Sequence, residues 1–468
     1  MRVSPAARAG LAAALLCLAM LALFWPGIAM FDSLVQYRQI LAGSYDDWHP
    51  PAMARLWSLF QGWWDGQAPM FLLQMLLYWL GLGLFAAALA RAGAWRASIG
   101  VLLLGAWPPF AGWQAGVIKD AQLAGALLAA VGMGGWWRLA DRPIPRWGAA
   151  MIVLLLVYAT LVRINAVFAT VPLAFGLFGR SAWRAPLRRG AVMLVAMVAV
   201  LAVSPLVNHR LLGAEASDVG NSLLVYDLAG IAHHAGPEAV PALPVAAWRK
   251  AEAQRCITPV QWDPLGNRCS FVADGLVAAE PGRQLAITWA ATIARHPLAY
   301  AGHRLSHWNA TMRWLLPRHF PSAEPPAASE ENDLGLVSPA PRIGAFQHLA
   351  GTLAESPIGT PMLWFVAALG VLALAWRGND SRSRLAVTLA LSAVLTELAF
   401  LVVSVASDYR YHLWAMLATG LALSLALRVE VPRRGPRVLL AALVLVAASS
   451  LAARIVLPPF ETYTDAAG

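Results

Sequence analysis

The chain has 468 residues, of which 59% are hydrophobic and 13% are charged. Its formal net charge of +10 would indicate nucleic-acid binding in a soluble protein. Here, however, apolar runs of about 20 residues recur, which is the length needed to cross a bilayer. Most of the arginines stand in short clusters between those runs. The composition argues against a soluble globular enzyme and against nucleic acid as a partner, and it predicts an all-α polytopic membrane protein.

The N-terminus has a charged segment followed by an apolar run, Leu11 to Met30, as a signal peptide does. This run is long, and no A-x-A cleavage site follows it, so we expect an uncleaved first helix. Along the whole chain, hydropathy predicts about eleven membrane-spanning helices. The predicted spans are residues 10–30, 69–90, 97–115, 120–137, 147–162, 166–179, 190–207, 358–376, 385–406, 411–427 and 438–457.

Basic residues in the short connections predict the orientation of these spans. If the N-terminus is cytoplasmic, the arginine-rich connections all fall on the cytoplasmic side, as the positive-inside rule requires. These connections hold Arg91, Arg96, Arg138, Arg142, Arg146, Arg180, Arg184, Arg188, Arg189, Arg377, Arg382, Arg384, Arg428, Arg433, Arg434 and Arg437. Three regions follow: an N-terminal membrane module (1–207) with a first external loop (31–68), an external region (208–357) and C-terminal helices (358–468).

The external region is the only long stretch without a membrane-spanning pattern. Ala279 to His296 and Pro297 to Leu316 are expected to form helices within it. The segment 322–335 is rich in Pro, Glu and Ser, which predicts a mobile loop. Cys256 and Cys269 also lie in this region, and we expect them to form a disulfide if it lies outside the cytosol.

The first external loop begins with Asp32, where the first apolar run ends. A local interpretation is a capping box with Ser33 as N-cap and Gln36 at the third position, where Asp32 would favour the helix N-terminus. That interpretation does not require a carboxylate at the membrane face. An acid partly removed from water there can have a raised pKa and act as a base, so we predict that Asp32 is catalytic.

The same loop carries a second polar cluster, Asp46, Asp47 and His49, followed by two prolines and a predicted helix at Ala52–Trp64. One of these polar residues is explained by capping of that helix. Three so close together, beside a tryptophan, also favour a ligand or metal site.

Charged residues at other helix ends are predicted to meet on the same face of the membrane as Asp32. Lys119 and Asp120 precede one span, Arg163 and Asn165 interrupt another region, and Arg410 lies between two later spans. Asp120 would cap its helix while Lys119 pairs with it, and the arginines would be structural partners of the acids. Arginines in such positions are also suited to binding a phosphate.

This arrangement resembles the integral membrane glycosyltransferases of the GT-C superfamily, which include protein O-mannosyltransferases and lipid A aminoarabinose transferases. Those enzymes have an acidic residue directly after the first transmembrane helix, an outer loop with membrane-parallel helices, and a basic-Pro-Pro element. Asp32, the segment 33–64 and His49 with its two prolines match these features, and Asp120 matches a second acid. The chain has FDS where relatives often have an Asp-Glu pair, and His49 where they often have lysine.

The resemblance implies sugar transfer from a polyprenyl-phosphate donor to a glycan, lipid or protein acceptor, at the periplasmic face of a bacterial inner membrane. It implies that Asp32 is the general base and Asp120 a second catalytic carboxylate. Lys119, Arg163 and Arg410 would hold the lipid phosphate, together with Asn165 and His49 as substrate-binding residues. No cofactor is certain. A divalent metal on Asp46, Asp47 and His49 is an open alternative, because relatives include metal-dependent and metal-independent enzymes.

Two other functions fit the composition. A transporter or lipid flippase would place charged residues deep in several helices and would contain inverted repeats. An O-antigen ligase or polymerase would use arginines and histidines of the large external region and would not need Asp32. His303 and His307 share one helical face there, but without a neighbouring carboxylate motif their spacing favours amphipathic packing on the membrane over metal binding.

Overall fold

The structure is a computed structural model that describes residues 4–179, 186–426 and 434–459. Helices account for most of this part of the chain. Some of the arginines on which the predicted orientation depends lie outside the described residues, namely Arg180, Arg184, Arg428 and Arg433.

The N-terminal part contains ten α-helices among the described residues. They are α1 (Pro5–Phe24), α2 (Phe31–Ala42), α3 (Ala52–Ser58), α4 (Ala68–Arg91), α5 (Trp95–Gly105), α6 (Pro108–Gln114), α7 (Lys119–Arg138), α8 (Arg146–Val162), α9 (Val167–Phe178) and α10 (Pro186–Pro205). A 3-10 turn, Ile164–Ala166, joins α8 to α9, and a π-helical turn, Leu206–Leu211, extends α10.

The middle region contains shorter helices. They are α11 (Gly220–Ala235), α12 (Val245–Ala253), α13 (Asp263–Gly266), α14 (Ser270–Ala279), α15 (Arg283–Arg295), α16 (Pro297–Met312) and α17 (Gly344–Ala354). The C-terminal part adds α18 (Pro361–Ala375), α19 (Ser381–Val403), α20 (Leu413–Ala426) and α21 (Arg434–Val456). Further 3-10 turns lie at Pro237–Ala239, Pro341–Ile343, Pro357–Gly359 and Tyr409–His412.

The two strands are very short. β1 (Tyr45–Asp46) pairs in parallel with β2 (Ala214–Glu215), in the register Tyr45 to Ala214 and Asp46 to Glu215. This pairing fixes the first loop against the chain that follows α10.

Five of the described helices are long and apolar enough to cross a membrane. They are α1, α4, the continuous helical segment Leu187–Leu211, α19, and the segment Gly435–Val456 of α21. A helix lies at every one of the predicted spans, but the others are shorter or less apolar. The architecture is thus that of a helical membrane protein with at least these candidate spans.

Proline changes the form of two predicted spans. The first was expected to continue to Met30, but α1 ends at Phe24, immediately before the Trp25-Pro26 bond. The span 97–115 is divided into α5 and α6, and α6 begins at Pro108. Proline has no amide hydrogen to donate to the preceding turn, so each helix ends before it and a new one starts after it.

The centre of the bundle is the contact between α4 and α7. Their backbones approach closely where glycines face each other: a Cβ at Gly132 would overlap with the Gly81 carbonyl, and one at Gly81 would overlap with the Leu128 backbone. Small residues allow this close approach, which is a common basis of helix association in membranes.

A buried glutamine holds the chain between α6 and α7. The Gln74 side-chain amide, on α4, donates to the carbonyls of Gln114 (2.7 Å) and Gly116 (2.8 Å). The Gln122 amide of α7 donates to the Gln74 side-chain oxygen at 3.1 Å. These bonds satisfy carbonyls that the helix break leaves without intrahelical partners, and they fix the start of α7.

The middle region has its own hydrophobic cluster, which includes Tyr226, Trp248 and both cysteines at positions 256 and 269. Cys256 and Cys269 form a disulfide, as predicted. The segment 322–335 is irregular and contains neither helix nor strand. Its predicted mobility stays a prediction, and part of it forms hydrogen bonds with the backbone before α2.

We predict that Gly132→Ala lowers the free energy of unfolding by about 1–3 kcal/mol, the usual cost of overpacking. The added methyl group would meet the rigid backbone of α4. The matched control is Gly100→Ala on α5, where no atom lies within 4 Å of the added Cβ. Denaturant unfolding in detergent measures both variants, and equal stability of the two would contradict the close α4–α7 contact.

Candidate functional site

Helix α2 places Asp32 on its first turn. The helix begins at Phe31, and the Met30 amide donates to the Ser33 hydroxyl (3.0 Å). The Ser33 hydroxyl in turn donates to the Val117 carbonyl at 2.7 Å. The prediction that Ser33 is the N-cap is therefore wrong: Ser33 is the third residue of the helix, because the helix begins three residues earlier than expected.

Two breaks in the helical bundle lie side by side and bring the acidic residues together. The Ile28 amide, after α1, donates to the Ala115 carbonyl (3.0 Å), and the Val117 amide donates back to the Ile28 carbonyl (2.8 Å). Asp32 follows the first break, and Asp120 follows the second. Residues that are distant in sequence therefore meet at one end of the bundle.

Asp32 and Asp120 share a set of cations. Asp32 Oδ2 lies 3.3 Å from Arg410 Nη1 and 3.9 Å from Lys119 Nζ. Asp120 Oδ1 forms an ion pair with Arg163 Nη1, and its Oδ2 lies 3.8 Å from Arg410 Nε. Arg410 thus contacts both acids. The structure brings these five charged residues together, as predicted.

Three further residues orient the arginines. Arg163 Nε donates to the Asn165 side-chain oxygen at 3.0 Å, so Asn165 belongs to the cluster as predicted. Arg410 Nε also donates to Asp408 Oδ2 at 3.1 Å. The Arg163 guanidinium lies 4.0 Å from the ring centroid of Tyr411. Asp408 and Tyr411 had no predicted role, and their sequence position beside Arg410 is the signal that points to them.

His49 is buried in the same cluster, with Nδ1 2.6 Å from Lys119 Nζ. An ammonium group has only donors, so Nδ1 must accept, and the proton of the neutral ring lies on Nε2. Burial, followed by the charge of Lys119, lowers the pKa of His49 to about 4. His49 is therefore a neutral hydrogen-bond donor at pH 7.

Asp32 is ionised because nearby positive charges outweigh the effect of burial. Burial by itself would raise the pKa of Asp32, but the charges of Arg410 and Lys119 outweigh burial and hold the pKa well below its usual range. The expectation of a raised pKa was based on partial burial alone. It is wrong for the ligand-free site, because the cations that surround the carboxylate come from other helices.

Several buried polar atoms of the cluster have no hydrogen-bond partner among the described residues. They are His49 Nε2, Arg410 Nη1 and Asp120 Oδ2. An unsatisfied buried polar group costs free energy, and native structures contain few of them. Arg410 Nη1 and Asp120 Oδ2 still face opposite charges, at 3.3 Å and 3.8 Å. His49 Nε2 has no such partner among the described residues, so it gives the cluster a donor for a polar ligand.

Asp46 and Asp47 have local partners instead. Asp46 Oδ1 accepts from the Trp48 amide at 3.0 Å. Asp47 Oδ1 accepts from the amide and the hydroxyl of Ser217, each at 2.7 Å, and its Oδ2 lies 3.3 Å from His209 Nε2. These bonds anchor the first loop to the chain after α10, and neither carboxylate contacts the charged cluster.

The described residues contain no group of three or more His, Cys, Asp or Glu side chains placed to hold a metal ion. The possible metal site of Asp46, Asp47 and His49 is therefore not assembled. Their side chains diverge: Asp46 accepts from the Trp48 amide, Asp47 accepts from Ser217, and His49 reaches Lys119.

The histidines of α16 belong to a separate packing network. Arg304 forms an ion pair with Asp227 at 2.5 Å and donates to the Ser404 carbonyl at 2.6 Å. His307 and Tyr226 are 3.1 Å apart, with the ring nitrogen near the hydroxyl. All of these side chains are buried, so this group joins the middle region to the end of α19. The expectation of amphipathic packing on the membrane is wrong for His303 and His307, because both side chains lie inside the protein.

No protein-family model, curated protein or solved structure matches the chain. Two buried carboxylates beside three cations can bind an anion and accept a proton.

We predict that Asp120→Asn lowers the free energy of unfolding by about 3 kcal/mol, since it removes the buried carboxylate and leaves the partly buried Arg163 without its main counter-ion. Arg163→Met should have a cost of the same order. The double variant should lose less than the sum of the two, because it removes the pair together. Chemical denaturation in detergent completes this double-mutant cycle, and additive losses would show that the two residues do not interact.

A second prediction concerns acid stability. The folded pKa of His49 (about 4) is below its unfolded value of 6.5, so the unfolded state binds the proton more readily. The stability that the fold gains by keeping His49 neutral is fully present above pH 6.5, and it is lost as the pH falls towards 4. Between pH 6.5 and 5, His49→Gln should reduce the loss of stability by about 2 kcal/mol.

The control for this measurement is His319→Gln, whose side chain is largely exposed. Unfolding curves for the three proteins at several pH values give the comparison. An identical acid dependence of wild type and His49→Gln would contradict the burial of a neutral His49.

Proposed function

We propose that this protein is a glycosyltransferase of the GT-C type, which transfers a sugar from a polyprenyl-phosphate donor to an acceptor hydroxyl. In this proposal it spans a bacterial inner membrane about eleven times, with a cytoplasmic N-terminus. The charged cluster then lies at the periplasmic face, where region 208–357 is external and α2 and α3 lie along the membrane surface.

The position of Asp32 between Arg410 and Lys119 is the observation that carries the proposal. The same three residues can supply a base and an anion-binding site, because the cations are held near the carboxylate without a bidentate ion pair. A phosphate entering the cluster would compete with Asp32 for these donors. Arginine is well suited to this exchange, since its planar donor set matches phosphate geometry.

The proposed reaction begins when the donor phosphate binds Lys119, Arg163 and Arg410. Its negative charge would offset the field of the cations on Asp32, so the pKa of Asp32 would rise towards a value useful for a base. The bond between the anomeric carbon and the phosphate oxygen then breaks as the acceptor oxygen bonds to that carbon. Asp32 takes the hydroxyl proton, and the lipid phosphate leaves with its charge stabilised by the cations.

Asp120, His49 and Asn165 have supporting roles in this mechanism. Asp120 binds both Arg163 and Arg410 and so holds their guanidinium groups in place. Asn165 fixes the Nε side of Arg163. His49 can donate its Nε2 proton to a sugar hydroxyl or a phosphate oxygen, since this buried atom has no partner among the described residues. Fixed donors of this kind favour the transition state when charge develops next to them.

The placement of charge supports surface chemistry over transport. Lys119 and Asp120 are the first residues of α7, Arg163 directly follows α8, and Arg410 lies in the turn between α19 and α20. A transport path through the bilayer would need ionisable groups along the helices, not at one end. The ligase or polymerase alternative has less support, because Arg304 and His307 of region 208–357 are buried and internally bonded.

We expect Asp32→Asn to reduce sugar transfer by at least about 100-fold, the usual contribution of a general base. The substitution keeps the size of the side chain and removes its proton-accepting charge. Transfer of labelled sugar from a polyprenyl-phosphate donor pool would be measured in membranes that contain each protein at equal abundance.

Asp46→Asn is the matched control. It makes the same chemical change in the same loop, at a carboxylate that bonds only locally, so its activity should stay near that of wild type. Retained transfer by Asp32→Asn, or an equal loss in both variants, would contradict the proposed role of Asp32.

A further inference from the structure

A cavity of about 620 Å³ lies outside the charged cluster. Its walls come from the chain after α16, from α17 and from the last turn of α21. The Tyr409 amide donates to the carbonyl of Ser322, a lining residue, at 3.3 Å. Because Tyr409 directly precedes Arg410, one wall of this cavity is attached to the segment that carries a cation of the candidate site.

Arg454 lies in the wall of this cavity and is only 9% exposed. Its guanidinium donates to the carbonyls of Ser450 (3.0 Å) and Arg313 (3.2 Å) and to the Thr360 hydroxyl (3.4 Å). All of these acceptors are neutral. Within the described residues no carboxylate lies within ion-pair distance of Arg454.

A second buried arginine adds to the positive charge behind the cavity. Arg313 donates to the backbone carbonyls of Phe320 (2.7 Å) and Pro321 (2.8 Å), and it likewise has no carboxylate partner in the part of the chain that the structure describes. Burying a cation without a counter-ion is costly unless an anion compensates for it. Glu355 attracts both arginines without forming an ion pair with either. Two buried cations that no carboxylate contacts, beside an open cavity, therefore favour an anionic ligand.

The other charges around the cavity agree with this assignment. Arg318 is exposed at the rim and forms no hydrogen bond or ion pair among the described residues. The two lining acids each have a histidine partner: Glu355 lies 3.8 Å from His319, and Glu324 lies 3.3 Å from His348. The two lining arginines, Arg318 and Arg454, form no ion pair among the described residues.

We infer that this cavity binds a phosphate group, held by Arg454 and Arg318. Arginine provides paired donors that match phosphate oxygens. The phosphate can belong to an anionic lipid head group or to a free phosphorylated compound. Leu451 and Ile455 of α21 are 45% and 66% exposed, so the cavity adjoins an apolar helix surface that would face lipid. The inference requires the helix to lie in a membrane, but it does not depend on sugar transfer.

The test measures phosphate binding by the full-length protein in phosphatidylcholine nanodiscs. Phosphatidylglycerol is the lipid probe, glycerol phosphate is the soluble competitor, and native mass spectrometry counts the bound lipids. Arg318→Gln should weaken one binding event by about tenfold, the expected loss of one charge-assisted hydrogen bond. Because Arg318 has no partner among the described residues, this variant should keep the fold.

The matched control is Arg295→Gln, which makes the same charge change at an exposed arginine of α15 that does not line the cavity. Arg454→Lys keeps the charge but loses the planar donor set, so it should also weaken binding. Glu355→Gln should strengthen binding, since it removes a negative charge from the cavity wall. Asp32→Asn should leave unchanged the one binding event that Arg318→Gln weakens, which separates this site from the charged cluster.

Binding that falls with Arg318→Gln and is unchanged in Arg295→Gln supports the site. Displacement of the lipid by glycerol phosphate would then assign the phosphate alone as the ligand, and resistance to displacement would assign the intact lipid. No phosphate binding by wild type, or equal binding by all the arginine variants, would overturn the inference. Loss of transfer with phosphate binding retained would bear on the proposed function alone.

Discussion

Two carboxylates buried at one end of the helical bundle impose the main physical constraint on this protein. Buried carboxylates need opposite charges beside them, and cations from other parts of the chain surround Asp32 and Asp120. Arg410 has the central position, since it reaches both acids and Asp408 as well. The turns that carry these side chains must therefore stay close together, and the folding of the bundle and the assembly of the site are the same event.

Helix breaks are the means by which the bundle meets this constraint. Pro26 ends the first helix, and the chain before α7 is held by Gln74, so backbone segments that are not helical can pair with each other near Ile28. Such backbone is tolerated in a membrane protein where its polar groups are satisfied internally. The breaks also place the charged side chains at helix ends, where they can contact both a ligand and the aqueous phase.

Much of the candidate site could be predicted from the sequence, and the misses have identifiable physical causes. Asp32, Asp120 and Arg163 were identified because charged residues at the ends of apolar helices are costly and therefore informative. Asp47 is predicted to belong to the site because it is close to His49 in sequence, but its carboxylate accepts from the amide and hydroxyl of Ser217, which is distant in sequence. The low pKa of Asp32 also could not be predicted, because its causes lie on other segments.

The sequence by itself determined where apolar helices occur, where proline interrupts them and which charged residues stand at their ends. These properties depend on hydropathy and on local backbone chemistry. Only the tertiary structure decided that Arg410 would meet Asp32, that Lys119 would meet His49, and that Arg454 would lie beside a cavity without a carboxylate partner among the described residues. Each of these contacts joins distant positions in the chain, and the packing of helices, which the local pattern does not specify, sets the distance between them.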